Sequence, residues 1–282
     1  RLGPLSGLLG FSHQSRQVTG SGSLRYLPDV DTRSNAVFLK EALDVGWATF
    51  DAGVRHERID HELQPSRFRT ARNAANTKLQ DRSYRLNSYS VGSRVELGPL
   101  FAAKVRYASS QRAPEINELY ASNAHYSVMT QEEGNQNLKP ERAKNLELTG
   151  LFHIGGFELS ATAYRMKYEN YLYLGHSGLQ TANRLPLKYW KQTDTTVKGF
   201  EIDASQAFDL GRYGTLNISA FADLVKNKAD HPDPLRAHND GEYLPNMPTN
   251  RYGATLQWQR QGWGARLSST YYDRQKYLGR NV

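Results

Sequence analysis

Stretches in which every second residue is apolar recur along the whole chain, and the connections between them alternate in length. The short connections are Asp44-Val45-Gly46, Gly98-Pro99, Ile154-Gly155-Gly156, Leu210-Gly211-Arg212 and Gln261-Gly262. The long ones lie near 19–32, 61–80, 113–141, 175–187 and 228–246. Period-two alternation is the pattern of a strand with unlike faces. Tight turns at one end and long loops at the other make a meander, which is how membrane β-barrels are built. A soluble sandwich would mix both lengths at both ends.

The spacing predicts about eleven strands, over 6–18, 33–43, 47–60, 81–97, 100–112, 142–153, 156–174, 188–208, 213–227, 247–260 and 263–279. Several exceed the usual soluble strand and suit a tilted membrane strand, which needs roughly 9–11 residues in the bilayer. In the expected register Leu146, Leu148, Phe157, Leu159, Leu216 and Ile218 face lipid. Glu147, Glu158, Glu201, Asp203 and Asp223 then face the lumen. Trp47, Trp258 and Trp263 adjoin short turns, where an interfacial aromatic girdle would sit. The fold class expected is therefore all-β, a transmembrane antiparallel β-barrel.

Composition agrees where it bears on the argument. No run of about 18 apolar residues is present, so no transmembrane helix is expected. The low mean hydropathy of −0.69 does not count against a barrel, whose loops and lumen are polar. There is no cysteine among the 282 residues, which excludes disulfides and thiolate chemistry. Lys and Arg total 36 against 28 Asp and Glu, a net charge of +8 without a basic run, so no nucleic-acid partner is expected. The chain opens Arg1-Leu2-Gly3-Pro4, without an initiator Met or a hydrophobic leader, as a mature or truncated chain would.

Two boxes carry a resemblance. Gln111-Arg112-Ala113-Pro114 is followed by Glu118-Leu119-Tyr120, and then by Gly134-Asn135-Gln136-Asn137-Leu138-Lys139-Pro140-Glu141-Arg142. This resembles the barrel of TonB-dependent outer-membrane receptors, whose pattern reads R-A-P, E-L-Y, then G-N-x-x-L-x-P-E before a strand. The family motif residues are thus Arg112, Ala113, Pro114, Glu118, Leu119, Tyr120, Asn135, Leu138, Pro140 and Glu141. The resemblance implies a 22-stranded barrel around an N-terminal plug in the bacterial outer membrane, bathed in lipid and lipopolysaccharide. It also implies energy from a TonB–ExbB–ExbD complex. Residues 1–282 would then be the C-terminal part of such a barrel, about eleven of its strands, without the plug and the last strand.

Within the family, Glu118-Leu119-Tyr120-Ala121-Ser122-Asn123-Ala124-His125 is similar to the E-L-[FY]-A-x-G-x-H segment of zinc and metal receptors, with Asn123 in place of Gly. The approach Tyr243-Leu244-Pro245-Asn246-Met247-Pro248 resembles their Y-L-P-x-x-P segment.

Six of the eight histidines, His56, His61, His125, His176, His231 and His238, fall in or beside long connections. Imidazole with carboxylate suits Zn²⁺. Two constellations are candidates: His56 and His61 with Asp60 and Glu62, and His231, Asp233, His238, Asp240 and Glu242 in one loop. Neither has the spacing of a zinc finger or a zincin. His125 lies between the two boxes, on the connection expected to hang over the barrel mouth. Haem receptors of the superfamily resemble that layout, with a loop His as axial ligand. A ferric siderophore would want aromatic and Arg residues, such as Tyr168, Tyr171, Tyr173, Tyr189 and Arg184. The expected cargo is Zn²⁺ or another divalent metal, with haem or a ferric siderophore as the alternative.

No nucleophile elbow, phosphate loop, dinucleotide fingerprint or zincin box is present, so no catalytic residue is expected. Glu132-Glu133 reads as a solvated loop pair. A barrel hydrolase and a passive porin are the other classes. A porin needs neither box.

Overall fold

A computed structural model describes residues 4–22, 25–65, 79–229, 243–244 and 246–276. Eleven long strands form one antiparallel meander. They are β1 (Leu5–Val18), β2 (Val30–Asp44), β3 (Ala48–Leu63), β4 (Arg82–Glu96), β5 (Phe101–Arg112), β8 (Glu141–Ile154), β9 (Phe157–Gln180), β10 (Pro186–Asp209), β11 (Thr215–Ala229), β12 (Arg251–Arg260) and β13 (Trp263–Tyr272). Between β5 and β8 lie helix α1 (Ile116–Tyr120) and two short strands, β6 (Ala124–His125) and β7 (Thr130–Glu133). The sheet does not close: among the described residues, β1 and β13 each pair on one side only.

The register runs without a slip from β1 to β8, and the period-two pattern fixes its faces. One row of cross-strand partners reads Leu5, Leu43, Phe50, Ser93, Val105, Leu148, Ala163, Phe200, Leu224. This face is exposed, with Leu148 at 56%. Apolar side chains in water would be costly, at about 25 cal/mol per Å². In a bilayer they form the lipid-facing belt. On β8 the belt runs Leu146, Leu148, Gly150, Phe152, and on β11 it runs Leu216 to Leu224, a span that matches a tilted membrane strand. All six expected lipid-facing residues lie in this set. The opposite face carries Glu147, Glu201, Asp203 and Asp223, the last paired with Arg251. Trp47 and Trp263 are exposed at short turns, and the indole N–H of Trp258 donates to the Tyr213 carbonyl at 2.8 Å.

Two connections differ from expectation. The one near 175–187 shrinks to a turn at 181–185, because β9 and β10 run 24 residues each, well past the belt. A bulge opposite Asp194, with Asn170 at φ 57°, interrupts the pairing of this hairpin beyond the belt. The connection 113–141 is not a free loop: it folds against the inward face, where Ile116, Leu119, Tyr120 and Leu138 bury with Val30 and Leu172.

Candidate functional site

The inward-folded segment is built from its motif residues. Pro114 ends β5, and α1 starts behind a capping box in which Glu118 accepts the Glu115 N–H at 2.7 Å. The buried Glu118 carboxylate accepts from a single Arg112 nitrogen, Nη1, which lies 2.9 and 3.1 Å from its two oxygens. Arg112 also reaches Glu141 at 3.4 Å, and Glu141 accepts the Leu172 N–H at 2.8 Å. The R of R-A-P, the E of E-L-Y and the E of P-E thus converge on one network. Burial works against the guanidinium charge, but Glu118 and Glu141 more than offset it and hold Arg112 protonated.

The other motif residues close the segment. Tyr120, 1% exposed, donates its hydroxyl to the Gln80 carbonyl at 2.9 Å. Burial, then the neighbouring Tyr84, pushes that phenol above its ordinary pKa. Gly134 must be glycine because a Cβ there would sit 2.6 Å from the Leu119 backbone. Its N–H bonds the Ala121 carbonyl at 2.7 Å, and that of Asn135 bonds the Glu118 carbonyl at 2.8 Å. Asn123 holds φ 81°, a left-handed position where Asn is the best substitute for the expected Gly.

Between these anchors a tip projects. β6 and β7 pair through His125 and Thr130, and β7 joins β10 in parallel at Leu187 to Tyr189. The Tyr26 ring stacks on the His125 imidazole, with centroids 4.1 Å apart and planes 12° apart. The Nδ1 of His125 lies 2.9 Å from the buried Glu132 carboxylate. Burial first, and the Glu132 charge second, keep the Tyr26 phenol protonated. An imidazole that donates Nδ1–H to a carboxylate presents the lone pair of Nε2, the usual support for a metal-ligating histidine. Tyr126, Val128 and Met129 stand exposed beside it.

Sequence reasoning missed Tyr26 and Glu132 as neighbours of His125. Glu132 and Glu133 are 6% and 4% exposed, so they are not a solvated pair. Glu133 accepts from Ser122 and Gln131 instead. The alternation within Thr130-Gln131-Glu132-Glu133 was the available signal that two carboxylates face opposite sides of a strand.

The other candidates separate. His56 and His61 are five residues apart on β3, an odd number, so they face opposite sides. His56 points outward and bonds Asn87 at 2.8 Å, on the lipid-facing side just above the belt. His61 is 2% exposed, above the belt and inward, with Nε2 3.2 Å from the Pro114 carbonyl and Nδ1 2.9 Å from the Thr32 hydroxyl. Burial pushes it toward the neutral form. Asp60 is held by Arg58 and Ser83, and Glu62 by Arg33. The first constellation is therefore not one site. His231, Asp233, His238, Asp240 and Glu242 lie outside the described residues. Among the described residues no three His, Asp or Glu side chains gather as a metal site. Tyr168 and Tyr171 meet edge to face at 5.2 Å, and Tyr173 is buried.

The family model described as TonB dependent receptor-like, beta-barrel matches residues 5–281. The hemoglobin and hemoglobin-haptoglobin-binding protein A of Haemophilus influenzae is 27% identical over 56% of this chain and 15% of its own length. The heme/hemopexin utilization protein C of the same species is 26% identical over 54% of this chain and 22% of its own length. The chain thus spans a minor part of these relatives. The structure of the copper transporter OprC superposes over 99% of this chain and 42% of its own, with TM-score 0.74 and 14% identity, a likeness of fold.

Proposed function

The chain belongs to the TonB-dependent receptor-like β-barrel family, and we propose that it is part of an outer-membrane receptor that captures haem at His125 and imports it with TonB-transduced energy. The family is one of transport receptors rather than enzymes. The observation that carries the reading is the single imidazole at the tip, its Nδ1 tied to Glu132 and one face covered by Tyr26. Haem iron asks the protein for one such axial ligand and for apolar surface around it, which Tyr126, Val128 and Met129 supply. Both curated relatives above bear haem or haemoglobin names.

Zinc or another divalent metal is the second reading, favoured by the donor types of His125 and Glu132. A closed zinc site needs about four donors, so His125 and Glu132 would need further ligands. In either case the long-connection end faces the exterior, lipid and lipopolysaccharide surround the belt, and the remaining strands, the plug and TonB–ExbB–ExbD complete the machine. The open edges of β1 and β13 support the need for further strands, since unpaired backbone is costly in hydrocarbon.

The test is uptake by cells carrying the full-length receptor with His125→Ala or Glu132→Gln, scored separately for haem and zinc. Haem uptake should fail with His125→Ala, and haem affinity should drop roughly 10–100-fold with Glu132→Gln. Loss of zinc uptake alone would transfer the site to the second reading. Unchanged uptake of both would remove His125 from the cargo path.

A further inference from the structure

Beside the tip, the strands that prop it carry two side chains that the site above leaves unused, Lys188 and His176. β7 pairs with β6 on one edge and with β10 on the other, and β10 pairs in turn with β9. Residues paired across strands stand on one face of a sheet. His125 pairs with Thr130, which alternates with Glu132 on β7, and the contact between His125 and Glu132 follows from that shared face. Glu132 pairs with Lys188, and Lys188 with His176. These four residues therefore form one row of neighbours across the patch. Leu172 and Trp190 lie on the same face of β9 and β10 and both pack against the buried cluster of the inward-folded segment, so this face is the inward one. Two strand spacings, about 10 Å, separate the backbones of His125 and Lys188 across the strands.

The two histidines of this face are set for opposite tasks. Nδ1 of His125 meets a carboxylate, so it holds the proton and Nε2 keeps a lone pair. Nδ1 of His176 accepts the Gly178 N–H at 3.1 Å, so the neutral ring carries its proton on Nε2. His125 thus offers a ligand atom and His176 a hydrogen-bond donor. Lys188 adds an ammonium, which has three donors and no acceptor. Both Lys188 and His176 are partly exposed. Across from Lys188, Glu132 is buried and its carboxylate is taken by His125. Donors set beside a ligand atom suit a molecule that carries a metal and, some distance from it, anionic groups. A bare divalent cation would be repelled by Lys188.

We propose that Lys188 and His176 form the carboxylate-binding part of the cargo site and select a metalloporphyrin with free propionates. The inference rests on the haem reading of His125 and adds the groups that fix the porphyrin's orientation. The iron meets Nε2 of His125, and the propionates on the rim of the same ring reach across β7 to Lys188 and His176. Lys188 makes the larger contribution, because a hydrogen bond between an ammonium and a carboxylate joins two charged groups.

The experiment titrates the purified full-length receptor with iron protoporphyrin IX and with its dimethyl ester, whose propionates carry no charge, and follows the Soret band. The wild-type protein should bind the free acid about tenfold more tightly or better, the value of one hydrogen bond to a charged group. Lys188→Met should remove most of that preference by weakening the free acid alone, and Lys188→Arg should restore it. His176→Phe should reduce it by a smaller factor. The Soret maximum should stay in place in all three variants, because His125 still holds the iron. Equal affinity of the wild-type protein for acid and ester would overturn the proposal whether or not the variants fold. So would a loss in Lys188→Met that is the same for both porphyrins. The haem reading fails in a different way: neither porphyrin would give a ligated-iron band with the wild-type protein, or His125→Ala would keep that band.

Discussion

The segment 113–141 contains an anchor, residues 113–122 and 134–141, and a tip, residues 123–133, and the two are held by different physics. The anchor is a buried apolar cluster tied by the Arg112–Glu118–Glu141 network, with a glycine where backbones touch. The tip is a small hairpin propped on β10, with an imidazole between a ring and a carboxylate. Every family-motif residue quoted above lies at the anchor or at the strand ends that frame it. Motif identity here reports how the segment is held inside the barrel. The proposed cargo chemistry sits at the tip, outside those residues.

That contrast can be broken most forcefully at Tyr120. Tyr120→Ala should destabilise the full-length receptor by about 3–5 kcal/mol in thermal unfolding, since it empties a buried aromatic site. His125→Ala should cost less than about 1 kcal/mol on the same assay, as a partly exposed change. Equal losses would erase the distinction between anchor and tip.

Next comes the network. Arg112→Met leaves the buried Glu118 without its cation and should cost about 2–3 kcal/mol, below the range for a fully buried pair because Arg112 is half exposed. The double variant Arg112→Met/Glu118→Leu should recover part of that loss in a double-mutant cycle. Strict additivity would mean that the pair does not couple.

A smaller effect belongs to His61. Its folded-state pKa is depressed by burial, so the unfolded chain binds the proton first as pH falls. Stability should therefore be full above about 6.5 and should decline below it until the depressed folded value is passed, by at most about 1.4 kcal/mol per pH unit. His61→Gln should flatten this part of the profile. A profile unchanged by the substitution would place the acid sensitivity elsewhere. The smallest effect is expected at the tip, where Met129 holds φ 51°. Met129→Gly should leave stability within about 1 kcal/mol of wild type or raise it, read from the same melting curves.

The strands and their faces were legible because a period of two is hard to mimic: Leu146, Leu148 and Ile218 face out as the alternation requires. The added length of β9 and β10 was not, because the bulge at Asn170 breaks the alternation and the residues beyond it are mixed Tyr, Leu and polar. The inward turn of 113–141 was hidden for another reason. It depends on contacts far apart in sequence, such as Tyr120 with Gln80 and His61 with Pro114. The separation of His56 from His61 was readable in principle from their odd spacing once both were placed in one strand. His125 was singled out by its place between the boxes, whereas its stacking neighbour Tyr26, 99 residues earlier, left no local trace.

The most direct test of the account is spectroscopic. Haem added to the purified full-length receptor should give the Soret band of ligated iron. His125→Ala should abolish that band while the melting temperature stays near wild type, and His56→Ala should leave it intact. A Soret band unchanged by His125→Ala would contradict the assignment of cargo chemistry to the tip.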